Sequence, residues 1–143
     1  MEMPIMPATV QYIDPPGTAP AQGNYSHATR VKSGDLYFIA GQLSVDNSGN
    51  IVGKGSFEAQ FNQVFANLKA VLDGLGLTFD HIVKFSTFFV HSQDIESFMR
   101  LRKQNFQTFF KTDKYPPNTI LVVDRLVKEE FLLEVEAVAR AAD

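Results

Sequence analysis

From Phe57 to Leu75 the apolar residues recur at helical spacing: Phe57, Phe61, Val64, Phe65, Leu68, Val71, Leu72 and Leu75. At about 100° per residue they share an arc of roughly 120°, a single stripe that has to be buried against another layer. Ser56 is placed to cap the helix start, and Glu58 lies in the first turn, where the helix dipole favours an acid. Gly76 is placed for a left-handed stop.

The chain on either side supplies strands for that layer. Val10 to Ile13 is a short apolar start, cut off by the Pro/Gly-rich loop from Asp14 to Gly23. Two strands follow, about Ser26 to Lys32 and Asp35 to Gln42, and the Ser33-Gly34 connection reads as a hairpin. Asp46-Asn47-Ser48-Gly49-Asn50 is a turn cluster. Ile82 to Val90 is β-branched and aromatic, hence a strand. A second helix is expected from Asp94 to Phe110, with Ile95, Phe98, Met99, Phe106, Phe109 and Phe110 on one face. Tyr115-Pro116-Pro117 ends it, Ile120 to Val123 is a further strand, Glu129-Glu130 a polar turn, and Phe131 to Ala139 the last strand. The order predicts an α+β fold, one sheet with both helices on one face, over a single domain spanning residues 1–143. The other sheet face then needs cover, which oligomerisation would provide.

Arg102 falls inside the apolar face of the second helix. Its methylenes either lie along that face and carry the head to water, or the guanidinium meets a buried anion.

Composition excludes several function classes. The chain has no cysteine, so disulfides, thiolate nucleophiles and Cys-based zinc sites are ruled out. Net charge is −3 with no basic run, against nucleic-acid binding. Apolar runs such as Phe85 to Val90 are too short to span a bilayer, and MEMPIMPATV has neither the basic nor the apolar region of a leader, so a cytoplasmic protein without membrane contact is expected. His27, His81 and His91 are scattered without metal-ligand spacing, and there is no phosphate-binding glycine loop, HExxH or GxSxG.

Glu134 and Glu136 stand two apart in an otherwise apolar strand, so both carboxylates project to one face. They form either a solvated sheet face or the wall of a partly dry pocket, where a raised pKa suits proton transfer. Tyr25, entering the strand that follows the glycine loop, is placed to bond a ligand or to close the loop on the core. Gly41 permits close backbone approach or marks a bulge.

Together these segments resemble the Rid (YjgF, L-PSP endoribonuclease-like) family over nearly the whole chain. The residues carrying the resemblance are Tyr25-Ser26-His27-Ala28, Ala40-Gly41-Gln42, the Asp46…Gly49…Val52-Gly53 turn, Gln60, Asn67-Leu68 and Leu72, Ile82-Val83-Lys84, Arg125-Leu126, and Leu133 to Ala139. The resemblance implies a chorismate-mutase-like mixed sheet with two helices on one face. It also implies a homotrimer with small-molecule pockets between subunits, and hydrolysis of imines or enamines without a metal or organic cofactor. By the same resemblance Tyr25 contacts ligand, Gly41 lines the pocket, and Glu134 orients or activates water with Glu136 beside it.

Three positions depart from the family pattern. Asn118 stands where deaminating members have an arginine that clamps the substrate carboxylate; Ala40 stands where serine is common, and Ile120 where cysteine is common. Losing a charge-assisted contact removes about 1.5–3 kcal/mol, roughly ten- to a hundredfold in binding. The resemblance therefore implies a deaminase with an altered substrate, such as an aminomuconate-like enamine. A non-catalytic small-molecule binder is the alternative, and an endoribonuclease a third reading that the charge disfavours.

Overall fold

A computed structural model describes residues 9–143; residues 1–8 lie outside them. The elements are β1 (Val10–Ile13), β2 (Ala28–Val31), β3 (Leu36–Gln42), α1 (Phe57–Gly74), β4 (Ile82–Phe89), α2 (Asp94–Phe109), β5 (Asn118–Val122) and β6 (Leu133–Arg140). The main sheet has the order β3-β6-β4-β5. It is mixed: β6 runs antiparallel to both β3 and β4, whereas β5 runs parallel to β4 after the α2 crossover.

α1 forms as its stripe requires. Ser56 Oγ accepts from the Ala59 N–H, and the helix ends in a paired cap in which the Leu77 N–H reaches Leu72 and the Gly76 N–H reaches Asp73, with Gly76 at φ +74°. Only glycine takes that left-handed turn without strain. Both helices lie on the same sheet face, because the same strand phenylalanines meet both. Phe85 packs on Phe65 of α1 and Phe106 of α2, and Phe89 packs on Phe57 and Phe98. The core between the layers is largely aromatic, with Phe61, Phe79, Phe110 and Tyr115 completing it. Many of the ring pairs are edge-to-face or tilted, the geometries aromatic quadrupoles favour.

The expected hairpin between the second and third strands does not form. β2 pairs with β1 in a separate two-stranded ribbon, and β3 pairs with β6. The reason lies at the turn, where buried Arg140 donates to the carbonyls of Lys32 and Ser33 and so ties the connection to the end of β6. The ribbon is fastened to β4 by Tyr12 Oη donating to the Ile82 carbonyl at 2.7 Å and Thr29 Oγ1 donating to that of Val83 at 2.7 Å.

Two amides of α1 hold the loops that lead into and out of the sheet. Gln60, fully buried, donates to the Gly53 and Glu130 carbonyls and accepts from the Leu132 N–H at 2.9 Å. Asn67 donates to the carbonyls of Leu43 and Val45. These motif residues thus act as fasteners: one positions the exit of β3, the other the entry of β6. Replacing Gln60 by leucine keeps the volume and orphans two carbonyls and an N–H. Stability should fall by about 3 kcal/mol, read as a lower urea midpoint with unchanged slope at fixed protein concentration.

Candidate functional site

The first group of expected site residues sits where β3 crosses β6. Between Ile39 and Gln42 the register shifts, so Ala40 and Gly41 together face the single residue Glu136. This is a bulge, and it brings the Gly41 backbone onto a carboxylate. A Cβ built on Gly41 would fall on Glu134 Oε2, and would stand 2.6 Å from its Cδ and 2.7 Å from its Cγ. The glycine therefore leaves the slot that the Glu134 carboxyl fills. Burial first, then the neighbouring Glu136 charge, hold the Glu134 carboxyl above the usual glutamate range. Both sequence readings of this pair contribute: Glu136 is exposed, and Glu134 is half-buried with a perturbed proton.

The second group lies beside α2. Tyr25, Asn118 and Ile120 line one cleft of about 330 Å³, together with Gln22, Ile95, Met99 and Arg102. Thr87 Oγ1 donates to Asn118 Oδ1 at 2.9 Å and so orients the amide. The segment before it is held by the Phe85 N–H donating to the Pro117 carbonyl. Tyr25 Oη accepts from the Gln22 N–H at 3.0 Å, closing the loop over the cleft.

Arg102 departs from the first of its two expected readings. Its head does not reach water: the residue is 1% exposed, with the guanidinium 5.1 Å from the Phe98 ring centre and 6.0 Å from that of Tyr25. Burial lowers its pKa to about 10, opposed by Tyr25, so it stays charged at neutral pH. The helical wheel carried the signal, since Phe98, Arg102 and Phe106 are spaced by four on one face.

These two groups occupy opposite faces of the sheet. Thr87, Ile120 and Val135 align on the helix side, whereas Phe88, Leu121 and Glu134 align on the other. One chain therefore brings Ala40, Gly41 and Glu134 together, and separately Tyr25, Asn118 and Ile120, but does not join the groups. Two of the three histidines have structural work: His27 Nε2 is 2.6 Å from the Ala19 carbonyl, and His81 Nδ1 accepts from the Thr78 N–H. Among the described residues no cluster of three His, Asp or Glu converges. A larger cavity of about 490 Å³ between the C-terminal ends of α1 and α2 contains none of the expected site residues. No helix among the described residues is long and apolar enough to cross a membrane.

The motif positions that carried the resemblance thus hold the bulge, the carboxylate slot and the loop fasteners. A family model described as Endoribonuclease L-PSP matches residues 16–141. The chain belongs to this family. Among its L-PSP relatives, a RutC family protein of Pyrococcus horikoshii is 32% identical over 117 residues, covering 82% of this chain and 86% of the relative. A Rid-family protein of Yersinia pestis, YyfB, superposes with a TM-score of 0.82 at 32% identity, over 92% of this chain and 98% of the other. TdcF of Escherichia coli, crystallised with bound serine, gives 0.67 at 28% identity, over 92% and 99%.

In this L-PSP chain the raised Glu134 pKa has a definite sign. An acid whose folded-state pKa exceeds its unfolded value costs stability once the pH rises through that window, and costs nothing below the unfolded value. Glu134→Gln should therefore melt above the wild type at pH 7, and the gap should close as the pH falls below the ordinary glutamate value of 4.5. A melting series across that range checks it.

Proposed function

We propose that the protein is a Rid-type hydrolase that deaminates a small imine or enamine, built as one domain over residues 1–143 and working as a homotrimer. The observation that carries the reading is the Glu134 carboxyl lodged on Gly41 with its proton held above the usual range. In its ionised form this carboxylate, made more basic by its surroundings, takes a proton from water as the oxygen adds to the C=N carbon. It passes that proton to nitrogen, giving a carbinolamine, and then carries the hydroxyl proton to the same nitrogen as ammonia leaves and the carbonyl forms. The serine bound by TdcF supports a ligand of amino-acid size.

The division of the site supports the trimer reading. The Glu134 face carries exposed Leu36, Phe38 and Leu121, and Phe38 is 79% exposed. A neighbouring copy that covers this apolar face also sets its own Tyr25, Ile120 and Asn118 cleft against Glu134, Ala40 and Gly41, so that each pocket takes half its wall from each copy. Asn118 offers neutral hydrogen bonds where deaminating members present an arginine, which points to a substrate other than the standard 2-iminoacid.

A second reading, ligand binding without turnover, is favoured by one observation: among the described residues, no carboxylate or histidine lines the Tyr25 cleft. Ribonuclease action has no comparable support, given the net charge of −3.

Ammonia release from freshly generated 2-iminobutanoate and from 2-aminomuconate decides between the two readings. Wild type should accelerate at least the second, and Glu134→Ala should lower the rate by about a hundredfold or more. Asn118→Arg should shift preference toward 2-iminobutanoate. A wild type inert on both, with no gain in Asn118→Arg, would leave binding without turnover.

A further inference from the structure

A guanidinium buried without a counter-charge is rare, because desolvating a cation is unfavourable unless other groups replace the lost water. Arg102 is the largest side chain that the fold buries completely. Nη2 contacts Met99 Sδ at 3.1 Å, a weak acceptor. Among the described residues Nε and Nη1 have no hydrogen-bond partner, and the ion pairs engage Arg100, Arg125, Arg140 and Lys69 but not Arg102. The rings of Phe98 and Tyr25 lend it some cation–π stabilisation, but they offer no acceptor for two N–H groups.

The surroundings are built to keep it there. Gly23 lies directly over the head, and a Cβ at that position would meet Arg102 Nη2 and stand 2.6 Å from Met99 Cε. The loop from Gln22 to Tyr25 forms the roof, closed by its own Gln22–Tyr25 hydrogen bond, and the cleft lined by Ile95, Met99, Ile120 and Asn118 opens beside it. The cavity thus has apolar sides in Ile95, Met99 and Ile120, one charged end at Arg102, and the neutral polar groups of Gln22, Tyr25 and Asn118. It is large enough for a ligand of a few heavy atoms.

We propose that Arg102 is the anion-binding residue of this cleft, its guanidinium pairing with the carboxylate of a short aliphatic ligand. A guanidinium–carboxylate pair gives orientation as well as charge. Ile95, Met99 and Ile120 take the carbon chain, and the Asn118 amide meets a polar atom along it. The substrate of the proposed hydrolase would therefore be anionic after all, with its charge read from α2 rather than from β5. This inference rests on the cleft being the ligand pocket; it does not depend on turnover.

The test is a binding titration of the full-length protein with butanoate and with butanamide, which differ in charge and little in shape. Chemical shifts of the backbone amides at Tyr25 and Asn118 report the site. Butanoate should bind saturably and about ten- to a hundredfold more tightly than butanamide. Arg102→Met should remove that preference while melting at or above the wild type, because a buried unpaired charge has gone; Arg102→Lys should keep part of it. Equal affinity for the two probes, or an Arg102→Met variant that binds butanoate unchanged, would overturn the inference. So would a wild type blind to butanoate whose Arg102→Met variant falls apart into smaller assemblies, since the guanidinium would then pair with a carboxylate of a second copy. The two readings fail separately. A chain that hydrolyses neither substrate yet binds butanoate through Arg102 keeps the anion site and loses the hydrolase. A chain whose Arg102→Met variant retains its full kcat/KM does the reverse.

Discussion

The register of β6 governs everything functional in this chain. The strand is hydrogen-bonded on both edges, by β3 and by β4, so its alternation is fixed twice over. Leu133, Val135, Ala137 and Ala139 enter the aromatic core while Glu134 and Glu136 face away from it. A slip of one residue would drive two carboxylates among the phenylalanines and expose the apolar set. Gln60 guards against this at the strand's entry by accepting the Leu132 N–H, so a helix amide sets the phase of a strand.

Much of this architecture was legible in the sequence because it depends on local periodicity. The α1 stripe, its Ser56 cap and the Gly76 stop are written in residues within one or two turns of each other, and all three formed. The two carboxylates on one face of β6 followed from strand alternation alone. The false hairpin shows where such reasoning ends. The competing partners of the Ser33-Gly34 turn come from Arg140, more than a hundred positions away in sequence, and no local pattern announces them.

The same limit applies to the site. Tyr25, Asn118 and Ile120 could be nominated one by one, but their separation from Glu134 and Gly41 depends on which sheet face each strand presents. That is a property of the β4–β5 and β4–β6 registers. Arg102 lies between these cases. Its position on the apolar face of α2 was visible on the helical wheel, whereas its complete burial depends on a glycine in a distant loop leaving room above the guanidinium.

The slot at Gly41 also bears on how such a chain can diversify. Because the Glu134 carboxyl fills the volume of any side chain at position 41, this part of the site has almost no room for variation. The β5 and α2 side, by contrast, presents side chains from a parallel edge strand and one helix face, where exchanges leave the backbone in place. Inherited change would thus accumulate on one wall while the other stands still, letting a lineage acquire new ligands without rebuilding the acid.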